Sequence, residues 1–320
     1  MDTFLPSLYT AHSELILKMM NIVLFGSNNP TGAAFLKICA LNAHETWGRR
    51  PSNNPEIPHI YCDLSRLPET SVRKIRGILV SFAPIWLLAP FLMHLCKTQP
   101  EVLTDLKGII ACSSSSFLTK RFAFNAYDQK LSTSLVEAHE LLGDISSQLK
   151  IPCQILAPTM IYGQVGEYAD RNISKIISLL RRLPFILLPK TTGLRQPIHA
   201  SQLASVAMHQ AEKMINSHWG NDQPPILALG GDMSIHYTDM IIAIKNNLPS
   251  DDPGKKCRII TLPDRLFFMI AAPLLPLNSK IFEAVLRIKS NLSGFVFANR
   301  VLNMPPEIFP ILPLASTSRK

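Results

Sequence analysis

No two cysteines in this chain are spaced like a metal knuckle or a redox pair. Cys39, Cys62, Cys96, Cys112, Cys153 and Cys257 stand far apart, mostly inside apolar runs, with no C-x-x-C and no Cys/His clustering. That pattern excludes a zinc site and a disulfide framework, and it reads as buried thiols in a reducing compartment. Charge is sparse as well, at 17% of residues, and acidic groups are the scarcer sign, 23 against 32 Lys and Arg. The resulting net charge of +9 is scattered over short clusters such as Arg49-Arg50, Arg181-Arg182 and Lys255-Lys256, without an aromatic-interleaved basic stripe. Nucleic-acid binding is therefore not expected, since a basic balance alone speaks to solubility and weak anion attraction. The opening MDTFLPSLYTAHSELILKMM has no basic region ahead of an apolar core, so a secretory signal is not expected, and Met19 or Met20 would serve as a start. A cytoplasmic location follows as the expectation, and the sequons at Asn172 and Asn291 then carry no consequence. Internal repeats and low-complexity tracts are missing too.

What is present suits a large core: 320 residues with 47% apolar content. The uncharged run GILVSFAPIWLLAPFLMHL, residues 77–95, has the length of a membrane span. Pro84 and Pro90 interrupt it and its first half is β-rich, so a strand followed by a helix is the better reading. Short apolar runs alternate with helix-length segments along residues 20–165: NIVLF, ETWG, HIYC, GILVSF, GIIACS and CQILAP. Between the last two, Leu131, Leu135, Ala138, Leu142, Ile145 and Leu149 form one helical stripe. Alternating strand and helix predicts an α/β fold with a doubly wound parallel sheet. The expected organisation is an N-terminal extension over 1–19, a dinucleotide-binding domain over 20–165 to which 196–232 returns, and a smaller discontinuous lobe from 166–195 and 233–320.

The first strand runs into GSNNPTGAA. A dinucleotide fold needs glycine where the turn is tight, where backbone meets pyrophosphate and where helix meets strand. Gly26 and Gly32 fill the outer places of a G-x-x-G-x-x-G spacing; Asn29 fills the middle one, as a residue that tolerates left-handed backbone. After the second strand, Arg49 and Arg50 stand where an acidic residue would take a ribose hydroxyl, which favours NADP over NAD; a solvated loop is the plainer alternative. Asp63, ending the third strand, reaches an adenine edge or caps a helix.

In their order, NIVLFGSNNPTG, WGRRP, CDLS, VSFAP, IIACSSSSF, ILAPTMIYG, DRNISKI, LRQPIHASQLA and LALGGDMSIHYTDM resemble the extended short-chain dehydrogenases/reductases, specifically the epimerase/dehydratase group acting on nucleotide sugars. The resemblance covers residues 20–245. It implies an NADP or NAD cofactor, a nucleotide-sugar substrate and a homodimer as a compatible assembly. It adds Leu64, Ala83, Pro158 and Tyr162 to the cofactor contacts, and it implies that Ser115, or its neighbour Ser114, polarises the substrate oxygen. Asn172, Arg195 and Arg287 match residues that hold the substrate's phosphates, whereas His199 fits a core or hinge position.

The group's chemistry uses Tyr-x-x-x-Lys on the helix after the serines. Here the pair is Tyr127 and Lys130, three residues apart instead of four, which turns the lysine to a different side of the helix. Counting back from Pro152 puts the usual pair near Leu131 or Ser132 and Leu135 or Val136. Spacing and register thus favour a local feature of the helix start over a catalytic dyad. Loss of the pair would leave an oxidoreductase, epimerase or dehydratase using another acid, or a dinucleotide-binding sensor, scaffold or assembly factor. Glu137, His139 and Glu140 are the nearby polar candidates for such an acid, although on an amphipathic helix charges of this kind are usually its wet face. The apolar run 262–277, punctuated by proline and followed by basic residues, packs on the lobe or rests on a membrane surface.

Overall fold

The computed structural model describes residues 21–39, 43–216, 219–220, 223–273 and 279–314. The expected N-terminal extension and residues 274–278 of the last apolar run lie outside the described residues. Strand β1 (Ile22–Phe25) is buried at all four positions. A strand apolar on both faces belongs in the middle of a parallel sheet, covered by helices on each side. It pairs in parallel with β2 (Ala43–Gly48) and β4 (Gly77–Ser81). Outward on one side comes β3 (His59–Tyr61), and on the other β5 (Leu106–Cys112) and β6 (Cys153–Pro158), again in parallel. With β8 (Ile226–Gly230) and β10 (Val296–Phe297) the sheet has eight strands in the order β10-β8-β6-β5-β4-β1-β2-β3. The expected doubly wound α/β fold is what the chain forms.

Between the strands run α1 (Pro30–Ile38), α2 (Ile85–Thr98) and the 24-residue α3 (Ala126–Leu149). Proline at the first position of α1 is favourable, because the N–H it lacks would have no intrahelical partner. The uncharged run 77–95 divides into β4 and α2, as its prolines dictate. Among the described residues no helix is long and apolar enough to cross a membrane. On α3 the buried residues Leu135, Ala138, Leu142 and Ile145 follow the predicted stripe.

The chain separates into two compact units: Met1–Ser113 with Glu137–Leu156 and Ala204–Leu227, and Ser114–Val136 with Ala157–Leu203 and Ala228–Lys320. In the first unit, Phe25 sits 5.4 Å from Trp47 and 6.2 Å from Phe91, ring centre to ring centre, and Phe35 packs on Phe82. The second has its own core, where Ile173, Ile177 and Leu180 of α4 (Ile173–Arg182) meet Met240, Ile241 and Ile244 of α6 (Tyr237–Asn246). Between α4 and α6 in the chain lie β7 (Phe185–Pro189) and α5 (Ala200–Ile215). Strand β9 (Arg258–Leu262) pairs in parallel with β7 and leads into α7 (Asp264–Ala271), which is followed by α8 (Ser279–Leu286). All six cysteines are free.

Candidate cofactor turn and substrate loops

In the first unit, the turn after β1 has the backbone course a dinucleotide turn requires. Gly26 has φ 76°, and a Cβ there would lie 2.5 Å from the Ala83 nitrogen. At Gly32 a Cβ would lie 2.2 Å from the Gly26 carbonyl oxygen, so only glycine lets α1 approach β1 this closely. Asn29 works differently from the expectation. Its φ is −147°, extended backbone, so left-handed tolerance is irrelevant. Its side chain caps α1 instead: Oδ1 accepts from the Gly32 N–H at 2.9 Å, while Nδ2 donates to the carbonyls of Gly26 at 2.7 Å and Phe82 at 3.2 Å.

This cap changes what the helix offers an anion. Pro30 has no N–H, and the Gly32 N–H is taken by Asn29. Of the first three helical positions only the Thr31 N–H is left without a partner among the described residues. The turn therefore fits a dinucleotide diphosphate in shape, with one helix-head donor where the geometry allows three. Arg49 and Arg50 are exposed beyond the end of β2, and the Arg50 carbonyl accepts from Asn28 at 3.0 Å. Asp63 caps a turn, not a helix, accepting from the Ser65 N–H at 3.0 Å and hydroxyl at 2.7 Å; these bonds hold its carboxyl below the usual range. Leu64 is half-buried beside it, and the Ala83 N–H bonds Ser81 Oγ at 3.2 Å.

One pair in this unit was not singled out by sequence. His139 is buried, and its Nε2 lies 2.6 Å from Ser113 Oγ at the end of β5. Burial lowers the imidazole pKa and favours the neutral ring. Its signal was in the spacing: position 139 is four residues after Leu135 and three before Leu142, on the buried side of α3, and not on the wet face.

The second unit holds the other expected residues. Ser114 Oγ closes a local turn, donating to Ser116 Oγ at 3.0 Å and accepting from the Ser116 N–H. Ser115 is buried; its N–H donates to the Pro158 carbonyl at 2.8 Å, and among the described residues nothing bonds its Oγ. Tyr127 is 62% exposed and Lys130 is exposed, so the structure does not bring them together in a buried site. In the register where the resemblance places the pair stand Ser132, whose hydroxyl bonds the Phe117 carbonyl at 3.1 Å, and exposed Val136. Asp128, one turn before Ser132, is buried in an ion network with Lys120 at 2.8 Å and Arg287 at 2.9 Å. Burial works to raise its pKa, but hydrogen bonds from Lys120 and Asn125 and both cationic charges outweigh that, and the carboxyl is held low.

Arg287 bonds Glu283 too, at 2.8 Å, so its charge is balanced inside the protein rather than held out for a diphosphate. Arg195 likewise turns inward. The residue is 7% exposed, and its guanidinium donates to the carbonyls of Leu194, Ser290 and Arg287, over the Tyr237 ring. The carbonyls of Arg287 and Ser290 follow α8, and a planar cation with five donors satisfies them well. Asn172 donates its amide to the Ile161 carbonyl at 3.0 Å. Tyr162 is buried between Phe309 and His199, and its hydroxyl accepts from the Ile311 N–H at 3.0 Å. His199 is a core residue, as expected: it is 3% exposed, and burial lowers its pKa to about 4.

No protein-family model matches the sequence, and no curated protein does. Solved structures do match in fold. MoeE5, in complex with UDP-glucose and NAD, superposes with a TM-score of 0.56 over 91% of this chain and 94% of its own, at 14% identity. The epimerase Mth375 of Methanothermobacter thermautotrophicus gives 0.60 over 92% and 90%, at 10% identity. UDP-glucuronic acid 4-epimerase from Bacillus cereus, in complex with UDP-glucuronic acid and NAD, gives 0.57 over 90% and 95%, at 13%. At 10–14% identity these likenesses show the fold alone: the chain shares its doubly wound parallel α/β sheet with these solved proteins.

Proposed function

We propose that the protein binds a nicotinamide dinucleotide on the β1–α1 turn and acts on a nucleotide-linked sugar as an oxidoreductase, epimerase or dehydratase. The observation that carries this reading is the turn itself, where Gly26 and Gly32 each stand at a place no side chain can occupy. The fold supports it, because solved proteins that share it hold UDP-sugars and NAD. The dinucleotide, when bound, supplies a hydride acceptor. Gly26, Thr31 and Gly32 would lie along the diphosphate, and Asp63, Leu64 and Ala83 along the adenosine. Arg49 and Arg50 would pair with the 2'-phosphate of NADP, which makes NADP the preferred form over NAD. Pro158 and Tyr162 would flank the nicotinamide end. On the substrate side, Ser115 Oγ would bond the reacting oxygen and Asn172 would contact the sugar nucleotide, while Arg195 and Arg287, matched to its phosphates, would act from the positions that Ser290 and Glu283 hold them in.

A proton must leave or join the substrate oxygen, and exposed Tyr127 and Lys130 are poorly set for that. Ser113 and His139 are better suited: a neutral imidazole at 2.6 Å accepts a proton through the serine hydroxyl and returns it. The exposure of Tyr127 favours one second reading, a catalytically degenerate dinucleotide-binding sensor, scaffold or assembly factor. Calorimetric titration with NADP and NAD, followed by incubation with a panel including UDP-glucose and UDP-glucuronic acid, separates the two. Reduced-cofactor absorbance or isomerised sugar supports the enzyme. Tight binding with no turnover of any sugar supports the second reading, and failure to bind either dinucleotide refutes both.

A further inference from the structure

The second unit carries a basic cavity that none of the roles above uses. It has a volume of about 520 Å³ and lies at the C-terminal end of α4, against the start of β7, the single turn Pro253–Lys256 and the start of β9. Arg181, Arg182, Lys256 and Arg258 line it together with Phe185. Arg181 is spent, held by both carboxylate oxygens of Asp252 at 3.0 and 3.1 Å from its Nε. Among the described residues Arg182, Lys256 and Arg258 have no carboxylate partner, so three exposed cations face one opening uncompensated.

Around this opening the surface is apolar. In the paired strands, Phe185 lies opposite Arg258 and Leu187 opposite Ile260, while Ile186 and Ile259 turn inward to the core. The outward face thus shows Phe185 at 48% exposure and Ile260 at 40%. Helix α7 packs against β7 and presents Leu266, Met269 and Ile270 outward, at i, i+3 and i+4. Exposed apolar side chains set among unpaired cations complement an interface of acyl chains and phosphates.

We propose that this face of the second unit docks on an anionic phospholipid surface, with lipid phosphates seated in the cavity and Phe185 and the α7 face entering the headgroup layer. The geometry requires no spanning segment, and the scattered net charge of +9 adds attraction at longer range.

The test is co-sedimentation of the full chain with vesicles of phosphatidylcholine alone and of phosphatidylcholine mixed with phosphatidylglycerol. Binding is expected to the mixed vesicles only, and to be reversed by high salt. The double variant R182E/R258E should bind mixed vesicles about tenfold less or weaker still. A second variant, F185S/M269S, should bind less while keeping the salt dependence. All four positions are exposed, and thermal unfolding matched to the parent confirms that each variant is folded. Equal binding to both vesicle types overturns the proposal, as does undiminished binding by R182E/R258E. Saturable binding of pyrophosphate at the cavity with no vesicle binding assigns it to a soluble anion and overturns it too. Dinucleotide titration of the same variants is unchanged if the two sites are independent, so this outcome is separate from that of the proposed function.

Discussion

Replacing Asn29 with alanine should move stability and cofactor affinity in opposite directions. The side chain caps Gly32 and donates to the carbonyls of Gly26 and Phe82. Loss of a helix cap costs about 1 kcal/mol. Loss of two partly buried bonds to carbonyls adds about 0.5–1.5 kcal/mol each. The sum is about 2–4 kcal/mol of unfolding free energy, measurable by urea denaturation, with Trp47 in the first unit's core as a fluorescent reporter. The same change releases the Gly32 N–H toward an incoming diphosphate. A hydrogen bond to a charged oxygen is worth about 1.5–3 kcal/mol, so NADP or NAD should bind about tenfold tighter or better in calorimetry. N29D serves as the contrast, because it retains the acceptor for Gly32, loses both donors and places a negative charge at the turn; it should bind the dinucleotide more weakly than the parent. Stability changes below about 0.5 kcal/mol in N29A would refute the capping account. Affinity that falls along with stability would refute the claim that Asn29 competes with the phosphates.

Other tests follow from exposure, packing and burial. The double variant Y127F/K130M should retain turnover within about twofold, and a loss of a hundredfold or more would restore the pair as the catalytic dyad. For G32A, whose Cβ would meet the Gly26 oxygen at 2.2 Å, the expected cost is about 1–3 kcal/mol or more, together with lost dinucleotide binding; a variant as stable as the parent contradicts the close packing. His199 is neutral in the fold with its pKa lowered to about 4, while the unfolded chain takes up that proton near pH 6.5. Its contribution is therefore complete above pH 6.5 and shrinks as pH falls toward 4, by about 3 kcal/mol in all. Urea midpoints of H199F should lack that part of the acid sensitivity, and an unchanged difference from the parent across this range would refute it. S113A and H139Q should each slow turnover while H139Q alone shifts the acid limb of the pH profile; unaltered profiles would reduce the pair to packing.

Much of the sheet was legible because parallel strands buried on both faces leave continuous apolar runs, and IVLF, GILVS and CQILAP are such runs. Gly26 and Gly32 were legible for a similar reason: only one residue type fits a point where backbone approaches backbone. Asn29 was explained wrongly: it acts through a side-chain cap on Gly32, three residues on, rather than a special backbone angle, and only its further bond to the Phe82 carbonyl, 53 residues away, lay beyond local reading. Distance in sequence hid the rest. Arg195 answers to carbonyls 92 and 95 residues further on, and Asp128 to an arginine 159 residues on. No local pattern distinguishes such a buried cation from one held out to bind a phosphate. The burial of His139 could have been read from the sequence, because helical spacing alone puts it on the covered side.

The eighth strand has a consequence for how this chain is made. Val296 and Phe297 lie alongside Leu229 and Gly230, and Gln196 clasps the arrangement through the Gly231 and Phe295 carbonyls and the Phe295 N–H. Until that late pair of residues is synthesised, the edge of β8 that faces away from β6 has no neighbour at Leu229 and Gly230 and is open to strands of other molecules. A nascent chain cut short before it would be prone to stick to its siblings, so completeness of translation guards solubility here.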